Sequence, residues 1–76
     1  MNFKETLDHI MNKKGYYAIP NSFYVYVNAK DLTRYIIYFD NDAYTYEKIW
    51  VENDSIKTEC YSEIELTNFI KRMENL

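Results

Sequence analysis

Apolar side chains recur with a helical period near both ends of the chain. In residues 2–14 the positions that share one stripe of a 3.6-residue period are Phe3, Leu7, Ile10 and Met11. In residues 62–75 the matching stripe consists of Leu66, Phe69, Ile70 and Met73. The sequence therefore predicts two amphipathic helices, and each of them needs an apolar surface to cover its stripe.

Polar residues at the ends of these two segments fit the predicted helices. The Asn2 side chain is placed to accept hydrogen bonds from the free backbone amides of the first turn. Glu5, three residues later, is in the position from which a side chain can reach back to the capping residue. Gly15, the only glycine in the chain, follows the first helix where a left-handed residue is preferred. Ser62 and Glu65 form an S-x-x-E capping box, which predicts the start of the second helix.

Between the helices the apolar pattern changes to alternation with a period of two, which predicts strands. The four predicted strands are Phe23–Asn28, Leu32–Asp40, Tyr44–Glu52 and Ser55–Tyr61. The second of them is apolar on both faces, which is typical of a central strand. Residues 16–19 can add a further short extended piece, which Pro20 ends because proline has no amide hydrogen for ladder pairing.

Short polar turns separate the predicted strands. Residues 40–43 and the pair Asn53-Asp54 fit tight hairpin turns, since Asn and Asp tolerate the dihedral angles required there. Successive hairpins give an antiparallel meander, and the simplest packing places both helices on one face of it. The sequence thus predicts a single domain over residues 1–76 of class α+β. The order is α-β-β-β-β-α, with a four-stranded antiparallel meander and two helices on one face.

Charge is distributed unevenly along the chain. Residues 40–76 carry nine acids against four bases, whereas residues 1–39 carry five bases against three acids, and the formal net charge is −3. Direct binding of nucleic acid needs clusters of Lys and Arg, so this distribution disfavours it and favours a protein partner with a basic surface. No apolar run approaches the roughly 20 residues of a membrane span. We expect a cytoplasmic protein that does not interact with membranes.

The chain offers few groups for catalysis. His9 lies off the apolar stripe of its helix, and Cys60 lies in the middle of a predicted strand, where a buried, inert thiol is the usual state. No metal-ligand spacing and no glycine-rich phosphate loop is present. We therefore expect a protein that is not an enzyme and that needs no cofactor or metal.

The remaining signal is aromatic and acidic. If the helices cover one face of the sheet, the other face should take several aromatic residues from the set Tyr24, Tyr26, Tyr38, Tyr44, Tyr46 and Trp50. Such rings are common at binding hot spots, although small domains also use them as core filler. The residues expected to contact a partner are Asp40, Asp42, Tyr44, Tyr46, Glu47, Trp50 and Asp54. The two acidic turns should lie at opposite ends of the third predicted strand, so one compact partner surface can contact only one of them.

One stretch resembles a known class of proteins. Residues 32–42, LTRYIIYFDND, and the preceding element Met11-Asn12-Lys13-Lys14 resemble small acidic anti-CRISPR proteins of bacteriophages, which block an RNA-guided DNA nuclease. The resemblance rests on the residues Thr33, Ile36, Ile37, Asn41 and Asp42. It implies a DNA-mimicking inhibitor that acts in the host bacterial cytosol. Its implied carboxylates are Asp40, Asp42, Glu47 and Asp54. The predicted fourth strand and the single C-terminal helix depart from that pattern.

Two functions follow as hypotheses. The first is a non-enzymatic inhibitor from a phage or mobile element, which uses acidic hairpins and tyrosines to occupy the basic nucleic-acid-binding surface of a host defence nuclease. The second is a structural or regulatory accessory protein that forms a homodimer through a tyrosine-rich face of the sheet.

Overall fold

The computed structural model describes residues 2–20, 24–40 and 42–76, and for Asp40 only the backbone. Its elements in chain order are α1 (Phe3–Lys13), β1 (Tyr16–Ile19), β2 (Tyr24–Asn28), β3 (Arg34–Asp40), β4 (Ala43–Glu52), β5 (Ser55–Glu63) and α2 (Leu66–Glu74). The predicted α+β class is confirmed. The predicted number of strands is wrong, because the structure has five strands where the sequence pattern predicted four.

The five strands form one antiparallel sheet in the order β1-β2-β3-β4-β5. Its additional member is β1, which pairs with β2 from Tyr16 opposite Asn28 to Ile19 opposite Val25. Gly15 turns the chain from α1 directly into β1 with a φ of 89°, a conformation that glycine adopts without steric cost. The predicted central strand is β3, and it is central in the structure.

Strand alternation gives the sheet two different faces. Both helices cover the face that carries the tyrosines, and the buried core there consists of Leu7, Ile10, Met11, Tyr26, Tyr35, Ile37, Tyr46, Phe69 and Met73. The expectation of a tyrosine-rich open face is therefore wrong. Of the six aromatic residues expected there, Tyr38 alone falls on the open side, since it alternates with Ile37.

The open face of the sheet is largely aliphatic. Val25 and Ile36 lie opposite each other across β2 and β3, and Val51 and Ile56 lie opposite each other across β4 and β5. Cys60 is on this face and is exposed, so the prediction of a buried thiol is wrong. The sequence pattern had grouped Cys60 with Ile56 correctly, but it did not indicate which side of the strand the helices would cover.

The two helices run in the same direction. We call the end of the sheet where β3 turns into β4 the turn end. Here the ring of Phe3 lies 4.8 Å from that of Phe39, which places the start of α1 at the turn end. At the opposite end, Lys14 Nζ donates to the carbonyl oxygen of Glu74 at 2.8 Å, so both helices finish there. Both helix N-termini therefore lie at the turn end.

The two helix starts differ in how they are capped. Asn2 Oδ1 accepts from the backbone N–H of Glu5 at 2.9 Å, so the predicted cap of α1 is confirmed. The capping box predicted for α2 is wrong, because Ser62 remains in β5 and its hydroxyl lies 2.7 Å from that of Thr45. The Glu63 carboxylate instead accepts from the backbone N–H groups of Ile64 and Glu65 at 2.9 and 3.2 Å.

Buried tyrosine hydroxyls have polar partners at the edge of the core. The Tyr26 hydroxyl donates to Asp8 Oδ1 at 2.8 Å. The same carboxylate forms an ion pair with Lys4, one turn earlier in α1. Burial and the adjacent Asp8 carboxylate raise the pKa of Tyr26. Burial is also the main cause of the raised pKa of Tyr35 and of Tyr16. These phenols are therefore protonated in the folded protein at neutral pH.

The core is small enough for one truncation to unfold the protein. Phe69 is fully buried, and replacing a buried Phe by Ala costs about 3–5 kcal/mol. A domain of this size has a net stability of only about 3–5 kcal/mol. We expect Phe69→Ala to be largely unfolded at 25 °C in a urea titration followed by circular dichroism. Ile64→Ala, at an exposed position, should change the free energy of unfolding by less than about 0.5 kcal/mol.

The raised tyrosine pKa values also predict alkaline unfolding. Each such phenol retains its proton in the folded state above pH 10.0, the value at which a free tyrosine titrates. The unfolded state then binds fewer protons, so the free energy of unfolding falls as pH rises above that value. Urea titrations should show full stability from these groups up to about pH 9.5 and a decline above it. Tyr26→Phe should decline less steeply, and an equal decline would exclude Tyr26 as a contributor.

Candidate functional site

The structure separates the residues that the sequence predicted as partner contacts. Asp42 and Tyr44 lie at the turn end, and Asp40 is the last residue of β3 at the same end. Asp40 is opposite Ala43 in the ladder, and Asp42 between them has a φ of 67°. An acidic hairpin turn is therefore present where the sequence predicted it.

The other predicted contacts lie elsewhere. Tyr46 is only 2% exposed and belongs to the core, so its prediction as a partner contact is wrong. Glu47 is on the open face, opposite Cys60. Trp50 and Asp54 are near the β4–β5 turn at the far end of the sheet, where Asp54 has a φ of 64°. The ten residues of β4 separate the β4–β5 turn from Asp42, so the two acidic turns lie at opposite ends of this strand, as predicted from the sequence.

The turn end carries an apolar depression of about 360 Å³. Its lining consists of Phe3, Tyr24, Phe39, Tyr44 and Leu66, and we call it the Phe39 depression. The Phe39 ring makes edge-on contacts with Phe3 and Tyr24 at centroid distances of 4.8 and 5.0 Å. Phe39 is nevertheless 47% exposed and Leu66 is 42% exposed. The depression is therefore a supported aromatic surface that remains open to solvent.

Three different parts of the chain create the Phe39 depression. Tyr44 is opposite Phe39 in the β3–β4 ladder, so the hairpin brings their rings to 5.9 Å. The parallel helices then add Phe3 from the start of α1 and Leu66 from the start of α2. Helical periodicity predicts Phe3 and Leu66 in the apolar stripes of the two helices, and no feature of the sequence indicates a surface role for Phe39. Alternation groups Phe39 with Tyr35 and Ile37 on one face of β3, but it does not indicate that the helices leave Phe39 exposed.

Carboxylates adjoin the lining residues of this depression. Glu63 is opposite Tyr44 in the β4–β5 ladder, and Glu65 immediately precedes Leu66. Glu5 lies in the first turn of α1, and Asp42 is exposed in the hairpin turn. The N-terminal ends of helices carry partial positive charge, which stabilises Glu5, Glu63 and Glu65 there. Asp42 belongs to no helix and has no such structural role, so it is the strongest candidate for an electrostatic contact.

The carboxylates near the Phe39 depression have hydrogen-bond donors within the protein. Glu63 accepts from two backbone amides and from the Tyr61 hydroxyl, and Glu5 accepts from Asn2. These carboxylates are engaged as acceptors beside an aromatic surface. An apolar centre with charged residues around it is the usual composition of a protein interface.

The chain was compared with protein-family profiles, with curated protein sequences and with solved structures, and no significant match was found. The resemblance of residues 32–42 to anti-CRISPR inhibitors therefore remains an expectation from the sequence. Neither helix within residues 2–20, 24–40 and 42–76 is long and apolar enough to cross a bilayer.

Proposed function

We propose that this protein is a small, non-enzymatic protein-binding inhibitor that docks its turn end on a basic surface of a partner. The observation that carries the proposal is the exposed Phe39 depression at the same end of the sheet as the β3–β4 turn, which contains Asp42. An aromatic anchor supplies contact area with few rotatable bonds, and the carboxylates select a partner of positive charge. The proposed contact surface consists of Phe3, Glu5, Tyr24, Phe39, Asp42, Tyr44, Glu63, Glu65 and Leu66.

The partner class follows from this combination of groups. Carboxylates are held well by Arg and Lys through charge-assisted hydrogen bonds. Surfaces rich in both are typical of proteins that bind nucleic acid. The sequence resemblance favours a phage or other mobile element as the origin of this protein and a host defence nuclease as its particular target. Within this proposal, the carboxylates at the turn end occupy positions that the nuclease otherwise uses for phosphates.

The alternative of homodimerisation takes a different form in the structure. The tyrosine-rich face is covered by the helices, so a dimer would have to use the open aliphatic face. Val51 and Ile56 are exposed there near the β4–β5 turn. Light scattering at micromolar concentration tests this second candidate: a monomer excludes it, and a dimer that Ile56→Lys dissociates supports it.

Two matched substitutions test which acidic turn makes the contact. Asp42 and Asp54 both have positive φ, at 67° and 64°, and asparagine tolerates that conformation as well as aspartate does. Asp42→Asn should therefore remove one charge without disturbing the turn, and Asp54→Asn is its control at the far end. We expect Asp42→Asn to weaken partner binding about tenfold, which corresponds to about 1.4 kcal/mol. Asp54→Asn should leave the affinity unchanged.

The partner is to be captured from a nuclease-treated bacterial lysate on immobilised protein, with Phe39→Ser as a variant that lacks the aromatic anchor. Expected partners are nucleic-acid-binding proteins that elute as salt rises and that duplex DNA displaces. Surface plasmon resonance on the purified partner then gives the affinities of the variants. Binding that is insensitive to salt would contradict the proposal. So would an Asp54→Asn variant whose affinity for the partner falls as much as that of Asp42→Asn.

A further inference from the structure

A second cavity lies between α2 and the strands β3, β4 and β5, on the helix-covered side of the sheet. Its volume is about 570 Å³, within the range of roughly 300–1,000 Å³ that holds small molecules in proteins. Lys48 and Glu59 reach it from β4 and β5, and Lys71 and Arg72 reach it from α2. We call it the cation cleft, because three of its four charged residues are basic although the whole chain has a net charge of −3.

No side-chain carboxylate of the described residues lies within 4.0 Å of the three cations of the cleft. Among the residues that the structure describes, the only ion pair within 4.0 Å is that of Lys4 with Asp8. Glu59 is opposite Lys48 in the β4–β5 ladder, yet its carboxylate accepts from the Tyr46 hydroxyl at 3.4 Å. Glu59 therefore opposes part of the positive charge of the cleft, but it forms no ion pair within 4.0 Å with Lys48, Lys71 or Arg72.

Aromatic rings hold two of these cations in place. The Arg72 guanidinium lies 3.6 Å from the centroid of the Tyr61 ring, and Lys48 Nζ lies 4.7 Å from that of Trp50. Such contacts orient a cation without removing its charge or occupying all its donors. A hydrogen bond with the Tyr46 hydroxyl raises the pKa of Arg72, whose guanidinium is in any case always charged in proteins.

The uncharged polar groups of the cleft already have acceptors. The Tyr61 hydroxyl donates to Glu63 at 3.2 Å, and the side-chain amide of Asn68 donates to Glu65 at 3.1 Å. Asn75 donates to the carbonyl oxygen of Lys71 at 2.7 Å. The side-chain donors left for a ligand are therefore those of the three cations and the second amide hydrogens of Asn68 and Asn75.

We propose that the cation cleft binds the phosphate group of a small molecule. A phosphomonoester carries up to two negative charges and several acceptor oxygens, which suits one guanidinium and two ammonium groups. The volume of the cleft leaves space for a nucleoside or sugar beyond the phosphate. This site is independent of the proposed contact at the turn end, since it shares no residue with the Phe39 depression.

The simplest structural explanation accounts for only part of this cleft. Lys71 and Arg72 lie in the last turn of α2, where cations stabilise the negative end of the helix dipole. Lys48 belongs to β4 and gains nothing from that dipole, although it lines the same cavity. The contribution of Lys48 therefore distinguishes a ligand site from helix stabilisation.

Nuclear magnetic resonance titration of the full chain tests the proposal with inorganic phosphate, adenosine monophosphate and adenosine as probes. Saturable shifts of Lys48, Glu59 and Arg72 amides are expected with both phosphate-bearing probes and not with adenosine. Equal affinity for the two identifies free phosphate as the ligand, and tighter binding of the monophosphate identifies a nucleotide. The absence of saturation up to about 10 mM phosphate or monophosphate, a very weak affinity, would overturn the site.

Three variants locate the binding. Lys48→Gln should weaken phosphate binding about tenfold or more, with circular dichroism confirming that the fold is intact. Lys30→Gln, in the exposed connection between β2 and β3, is the matched control and should leave it unchanged. Glu59→Gln removes the one opposing charge and should tighten binding by about threefold or more. If Lys48→Gln and Lys30→Gln weaken phosphate binding equally, the binding is non-specific charge attraction and the site is refuted. The same conclusion follows if Glu59→Gln does not increase the affinity for phosphate.

Discussion

The odd number of strands fixes the arrangement of everything else in this protein. In an antiparallel meander of five strands, the first and the last strand run in the same direction. α1 leads into β1 through the tight turn at Gly15, and α2 follows β5 after Glu63, so both helices run opposite to their neighbouring strands. They are consequently parallel to each other. With the four strands that the pattern predicted, the same connections would have made them antiparallel.

Parallel helices sort the charges of the molecule between its two ends. Glu5 lies in the first turn of α1, and Glu63 and Glu65 lie just before α2 at the same end, whereas Lys71 and Arg72 lie in the last turn of α2. Each position suits the sign of the helix dipole at that end. The chemistry of the Phe39 depression and of the cation cleft follows from that sorting. The depression at the helix starts is apolar with acids beside it, and the cleft along the last turns of α2 contains cations. A chain of net charge −3 can therefore present surfaces for both cationic and anionic partners.

The buried tyrosines contribute both to the core and to the polar groups at its edge. A thin two-layer domain has few positions at which a ring is covered on all sides. Tyrosine fills such positions with its ring, and its hydroxyl reaches polar groups at the edge of the core. Tyr26 does so with Asp8, and Tyr46 does so with Glu59 beside the cation cleft. Of the tyrosines that the sequence suggested as a binding surface, Tyr24 and Tyr44 line the Phe39 depression and Tyr46 lines the cation cleft.

Much of the local structure was determined by the sequence alone. Helical periodicity located both helices, and Asn2 and Gly15 marked the ends of α1. The turn at Asn53-Asp54, the central position of β3 and the partition of each strand into two faces were also predictable, because all depend on neighbouring residues. The tertiary structure decided which face the helices cover, since a period of two separates the faces without ranking them. That choice buried Tyr46 and exposed Cys60. Pairing with β2 decided that residues 16–19 form a strand, and this fifth strand brought Phe3, Phe39 and Leu66 together from three distant parts of the chain.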